Sequence, residues 1–410
     1  MSRMWPSYAD YTHEIASPSG LAAKYRLLLY REGYLEPNPE AFPPSGLPAL
    51  FIPGNAGSHG QVRSVASSSA RQYWSHDYDS LVDGRPAVPR KEWEDRHGGV
   101  DWWTIDFKED FSAFHGMTLA EQAVFVNEVI AFLRSTYSTA NVTSIPILAH
   151  SMGGIVARLA GRLPSYVPRS IETIVTLSTP HAYPPIAYDR GVESVYSIIK
   201  PPSQASSHSP DDALIVSIAG GSIDIQVAPE PASLDLLPQW DPRNQLSLFT
   251  SAMPALWCGV DHLAIMWCDQ LRTRVATGFL RAGLSNYTRM SVLEKRGIWL
   301  DTLGLPGEQE KHLPVNDLAA LGTLIASIAV DEGQRAETYI ILTNQAMSGG
   351  DEALYNILVC HSHGAGCEAI SSRLWEMLPP SPKQPHVFPN AEKDYRRSGA
   401  ALWQLKLDSR

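Results

Sequence analysis

A chain of 410 residues with a net charge of −10, 44% hydrophobic and 19% charged residues, has room for a large α/β domain plus an appendage. It carries no basic surplus for phosphate backbones, so nucleic acid is excluded as a partner. No run reaches the roughly 18 apolar residues of a membrane span; LAALGTLIASIAV, at 318–330, reads as a buried or amphipathic helix, and MSRMWPSYADY lacks the layout of a secretory signal.

The first clear strand is LPALFIPG, which stops at the glycine-rich turn GNAGSHG. VDWWTIDF reads as a second strand. The helix MTLAEQAVFVNEVIAFLRSTY follows, with Leu119, Ala123, Val126, Ile130 and Leu133 on one face and Thr118 with Glu121 as a capping box. Strand SIPILAH, helix MGGIVARLAGRL, strand IETIVTLST and strand DALIVSIAGG come next. This alternation predicts a doubly wound, mostly parallel α/β sheet with helices on both faces. Two stretches interrupt it, 77–99 and 183–211, and are expected to be excursions at the strand ends that help form a cap. From residue 285 the texture changes to short β-like pieces, TYIILTN, NILVC and LWQLKLD, so the expected division is an α/β domain over 1–284 and a β-rich, incomplete domain over 285–410. Asn141-Val-Thr and Asn286-Tyr-Thr are glycosylation acceptors if the chain enters a secretory compartment.

Within SIPILAHSMGG lies small-x-Ser-x-Gly: Ala149, His150, Ser151, Met152, Gly153. Between a strand and a helix this is the nucleophile elbow of α/β-hydrolases, with alanine replacing the first glycine. That fold orders its triad as serine, acid, histidine. Asp224 follows the strand ending in Gly220 and Gly221, and His262 lies further on in VDHLAIMWC. The expected roles are Ser151 as nucleophile, His262 as base and then acid, and Asp224 as the group that orients the imidazole. The oxyanion donors are expected to be the N–H of Met152 and that of Asn55 or Ala56 in the early glycine-rich turn.

Rivals are weaker. Asp261 adjoins His262, a separation at which side chains seldom meet usefully; Asp211 and Asp212 precede their strand; His150 and His59 read as structural or substrate-lining. A second strand-turn-serine-helix pattern surrounds Ser362, but His386 precedes Asp394, the wrong order. Cys360, His361, His363 and Cys367 match no common zinc spacing, and no metal or organic cofactor is expected. Cys258 and Cys268 flank His262 and read equally as buried thiols or as a bridge.

These blocks, with MWPSY, KYRLLLYREG, FIPGNAGSHGQVRS, LSTPHAYPP and SIAGGSIDIQV, resemble the GPI inositol-deacylases over the first 275 residues or so. The resemblance implies a membrane-associated enzyme of the endoplasmic reticulum. It would hydrolyse the fatty acyl ester on the inositol of GPI anchors and so assist transport of GPI-anchored proteins to the Golgi. It also implies that Ser151, Asp224 and His262 carry the reaction. An acyl chain leaving a bilayer needs an apolar groove, since each exposed methylene costs about 0.8 kcal/mol. His59, Trp102, Trp103 and Trp257 are expected to line it, with plain core packing the reading for at least one of the tryptophans. The competing readings are a general lipase of the same fold and a non-catalytic trafficking module.

Overall fold

The computed structural model describes residues 4–305 except 34, 37–43, 75–98, 139–141, 186–187, 201–212, 235–236, 238–241 and 285–289, and five strands beyond residue 337. Two compact units are present, Met1–Gln309 and Glu310–Arg410.

The first unit is built on eight strands: β1 (Pro6–Asp10), β2 (Arg26–Glu32), β3 (Leu47–Ile52), β4 (Val100–Asp106), β5 (Ile147–His150), β6 (Thr173–Leu177), β7 (Leu214–Ala219) and β8 (Gln245–Phe249). Their order across the sheet is β1-β2-β4-β3-β5-β6-β7-β8. The first two are antiparallel to their neighbours, and all pairings from β4 through β8 are parallel. The alternation read from the sequence is therefore borne out as an α/β-hydrolase sheet. Sequence reasoning passed over β1, β2 and β8. The run RLLLY carried the signal for β2, whereas β8 is a short edge strand with only alternate residues buried.

Among the described residues six helices of nine residues or more cover the sheet: α1 (Arg63–Trp74), α2 (Gly116–Thr136), α3 (Met152–Ala160), α4 (Arg190–Ile199), α5 (Asp269–Leu284) and α6 (Val292–Thr302). Because successive strand residues point to opposite faces, the sheet feeds two cores. Leu50, Ile52, Trp103 and Ile105 pack with α2, α3 and α4, while Ala49, Phe51, Trp102 and Leu148 pack with α1, α5 and α6. All five residues predicted for the inner face of α2 are buried, and so are Phe125 and Val129, because this helix also packs against α3 and α4.

Two local expectations are corrected. Stretch 183–211 is not simply an excursion: it contains α4, the crossover helix between β6 and β7, with Val192, Val195, Tyr196 and Ile199 buried. Stretch 77–98 lies outside the described residues. Nor do Thr118 and Glu121 cap α2, which starts two residues earlier at Gly116. The cap comes from another element: Asp189 accepts the N–H of Gly116 at 2.7 Å and that of Gly191 at 3.0 Å. These bonds hold its carboxyl below the usual carboxylate range. One carboxylate thus closes two helix N-termini, which a local spacing rule cannot foresee.

The junction requires glycine, because a Cβ on Gly116 would sit 2.1 Å from the carbonyl carbon of Gly191. Gly116→Ala is expected to cost about 1–3 kcal/mol as an overpacking change. Urea unfolding should show a lower midpoint at unchanged slope.

Helix α6 begins at a capping box of Ser291 and Glu294. Its Trp299 is 1% exposed and meets Phe279 of α5 edge-on at 5.6 Å, and its Lys295 reaches Glu172 at 2.7 Å. The boundary expected at 285 falls between these two helices.

In the second unit β9 (Thr338–Thr343), β12 (Arg373–Trp375) and β13 (Ala401–Lys406) form an antiparallel sheet of order β12-β13-β9, while β10 (Leu358–Cys360) and β11 (Cys367–Ala369) pair antiparallel. Positions 361–366, 386 and 394, like 211, 212 and 318–330, lie outside the described residues.

Candidate active site

Strand β5 ends at His150 and α3 begins at Met152, so Ser151 alone makes the turn. Its backbone is at φ 52° and ψ −128°, a conformation that costs a residue with a Cβ about 1–3 kcal/mol and persists only where the surroundings enforce it. Here they do. The Ser151 N–H donates to the Leu177 carbonyl at 2.9 Å, and Thr179 Oγ1 donates to the Ser151 carbonyl at 2.8 Å. The small residues of the motif are accounted for by contact: a Cβ on Gly153 would lie 2.4 Å from the Ile52 carbonyl oxygen, and one on Gly154 would lie 2.3 Å from Thr179 Oγ1. Ala149 is fully buried in the core on the α3 side, where its one methyl is accommodated.

The three residues chosen by chain order are brought together. His262 Nε2 lies 3.0 Å from Ser151 Oγ, and His262 Nδ1 lies 2.9 Å from Asp224 Oδ2 and 3.1 Å from Oδ1. All three are buried, at 7%, 4% and 3% exposure for Ser151, Asp224 and His262. Asp224 also accepts the N–H groups of Gln226 at 3.0 Å and Val227 at 2.8 Å. Burial pushes its carboxyl up, but the bonds from His262 and Val227 outweigh that and hold it below the usual range. A carboxylate kept ionised on Nδ1 fixes the proton there and leaves Nε2 free to accept from the serine hydroxyl.

The early glycine-rich turn lies against the nucleophile: a Cβ on Gly54 would be 2.7 Å from Ser151 Cβ and 3.3 Å from Oγ. Of the two amides expected to complete an oxyanion site, that of Ala56 is engaged, donating to the Asp110 carbonyl at 3.0 Å. The Asn55 side chain accepts from the Ala113 N–H at 2.9 Å, which anchors the turn, and among the described residues its own N–H has no acceptor. Met152 occupies the first position of α3, where an N–H has no intrahelical partner.

The remaining sequence expectations divide. Trp102 and Trp103 are corrected: at 1% and 0% exposure they are core residues. Strand alternation sends Trp102 under Phe279 and Trp103 toward Phe132, with their indole N–H groups donating to Ser69 and the Tyr137 hydroxyl. Trp257 is 67% exposed on the loop that leads to His262. His59 packs edge-on to Tyr8 at 5.0 Å and faces Asp106 at 3.8 Å, and among the described residues nothing joins it to the Ser151 cluster. Asp261, the rival acid, instead accepts the N–H groups of Leu263 and Ala264 at 3.0 and 3.3 Å. Cys258 and Cys268 are free thiols. Among the described residues no group of side chains is arranged to hold a metal ion, and Asn141 and Asn286 lie outside them. Sequence reasoning missed Gly54 and Thr179, whose signals were the first glycine of GNAG and the threonine ending LST.

A mostly parallel sheet of this order, a strained serine between β5 and a helix, and a histidine and an aspartate joined to it from later loops define an α/β-hydrolase fold. The family model described as PGAP1-like alpha/beta domain matches residues 43–282. The chain belongs to that family. It is 40% identical over 299 residues to a GPI inositol-deacylase of Schizosaccharomyces pombe, a match covering 68% of this chain and 25% of that protein. Proteins of the same name from Debaryomyces hansenii and Cryptococcus neoformans are 37% and 38% identical over 314 and 326 residues, covering 72% and 76% of this chain and 29% and 39% of theirs. The chain thus spans a quarter to two fifths of the length of these relatives.

Proposed function

We propose that this chain is the catalytic portion of a GPI inositol-deacylase, a serine esterase that removes the fatty acyl group from the inositol of GPI anchors. The observation that carries the reading is the continuous Ser151–His262–Asp224 relay at 3.0 and 2.9 Å. Ser151 attacks the ester carbonyl while His262 Nε2 takes its proton. The tetrahedral oxyanion is held by the N–H groups of Met152 and Asn55. His262 then protonates the departing inositol oxygen, leaving the acyl group on Ser151 Oγ. Water, deprotonated by the same imidazole, attacks that ester and releases the fatty acid. Nothing in this sequence calls for a metal or organic cofactor.

The surface beside the relay suits a lipid ester. Phe111, on the segment whose Asp110 and Ala113 hold the Asn55–Ala56 turn, is 60% exposed; Ile223 and Ile225, either side of Asp224, are 54% and 88% exposed; Trp257 and Leu263 bracket the His262 loop at 67% and 44%. Large apolar side chains so exposed mark a place where lipid or protein is met. Trp257 takes the lining role, and His59 sits at the far end of the oxyanion turn. The setting is the lumenal face of the endoplasmic reticulum membrane, with GPI-anchored proteins as the clients whose transport deacylation supports. Asn141 and Asn286 would there be glycan acceptors, and the β-rich second unit would be a lumenal accessory domain. Among the described residues only α2 is long and apolar enough to cross a bilayer, and it is packed in the core.

The test is fatty-acid release from inositol-acylated GPI set beside release from diacylglycerol and a phosphatidylcholine in the same detergent. Preference for acyl-inositol supports the proposal. Equal or better turnover of the glycerolipids makes the chain a general lipase, and no turnover of any ester, with Ser151 inert to an organophosphonate, makes it a non-catalytic module.

A further inference from the structure

We infer that His150 is a positioning residue: its ring ties the main chain of the catalytic base to the elbow that carries the nucleophile. The inference rests on the esterase reading above. His150 is 2% exposed, and its Nε2 lies 2.9 Å from the carbonyl oxygen of His262. A carbonyl can only accept, so Nε2 carries the proton and the neutral ring leaves Nδ1 bare. That Nδ1 is buried and has no hydrogen-bond partner. The two imidazoles stand 4.9 Å apart, tilted by 48°. Burial first, and the neighbouring His262 second, push the His150 pKa down to about 4, so the ring stays neutral beside the imidazolium that the reaction creates.

The tie is needed because of where His262 sits. It lies on the connection from β8 to α5, where the described helical segments between the two are three-residue turns. Other holds act on this stretch, including the His262 ring on Asp224 at 2.9 Å, the Val260 N–H to the Gly220 carbonyl at 2.8 Å, the Asp261 carboxylate on Leu263 and Ala264 and the burial of Val260, Ile265 and Met266, but none of these ties the His262 main chain to the elbow. The Ser151–His262 bond itself is lost once Oγ is esterified, yet His262 must remain in place to activate water. The contact from His150, the residue covalently joined to Ser151, survives that step and keeps base and acyl group in register.

Three forms of the full chain test this with p-nitrophenyl butyrate, counting active sites with a fluorophosphonate. His150→Phe keeps a ring and removes the donor; kcat per labelled site is expected to fall on the order of 10²-fold at unchanged KM, the scale of a small misplacement of a reacting group. His150→Gln, whose amide N–H reaches the same carbonyl, is expected to recover most of that loss. Equal kcat per site in His150→Phe and wild type would overturn the inference, as would a Gln variant no better than the Phe variant. If wild type turns over no faster than Ser151→Ala, the esterase reading fails instead. Should the variants not fold, nitrogen NMR of the wild-type histidines decides: a protonated Nε2 and bare Nδ1 down to pH 5 supports the tie, and an Nδ1–H tautomer or a charged ring at pH 6 excludes it.

Discussion

Replacing Ser151 with alanine is expected to lower the rate of acyl-inositol hydrolysis by about 10⁶-fold, the scale of losing the nucleophile of a triad. The change removes one oxygen from a site already strained to present it, so the fold should survive. The backbone at φ 52° is held by Leu177 and Thr179 through main-chain groups of residue 151, which alanine retains. A residual rate of about 10³–10⁴-fold over water is expected if the Met152 and Asn55 amides still bind the oxyanion. The measurement is fatty-acid release by purified wild-type and variant chains at matched thermal stability. Near-wild-type release by the alanine variant would remove Ser151 from the mechanism.

Asp224→Asn is expected to reduce kcat by about 10⁴-fold with little effect on KM, because an amide can present its NH₂ to Nδ1 and stabilise the wrong imidazole tautomer. The same substitution has a second reading in stability. In the folded chain the Asp224 carboxyl is held below its ordinary value, burial being outweighed by bonds from His262 and Val227. A depressed carboxylate pKa contributes stability that is present above its unfolded value, near 3.9, and is lost as pH falls through the folded value. Wild type should therefore lose stability more steeply than the asparagine variant only below about pH 4. Thermal melts from pH 7 to 3 check the sign: parallel curves would mean that Asp224 is not specially stabilised as an anion.

How far the site was legible follows from what kind of signal each part left. Ser151 stood out because an elbow is a local event, a strand of period 2 running into a helix of period 3.6 across small residues. Asp224 and His262 were reachable because the fold fixes their order along the chain. Choosing between Asn55 and Ala56 was not possible from spacing, since it turns on which amide the Asp110 carbonyl has already taken. Trp102 and Trp103 misled for a related reason: adjacent aromatics on one strand point to opposite faces, and with helices on both faces neither ring is left at the surface. Asp189 capping α2 from 73 residues away, and His150 reaching the carbonyl of a residue 112 positions later, left no local trace.

By itself the sequence determined the doubly wound sheet, the elbow and which serine, histidine and aspartate are brought together, because periodicity, glycine placement and chain order are properties of a string. Tertiary structure alone decided which buried polar groups meet, which amides remain unpaired and which aromatic side chains face solvent. Those outcomes depend on distances between segments far apart in the chain, and hydrogen bonding and burial are set by that proximity in space.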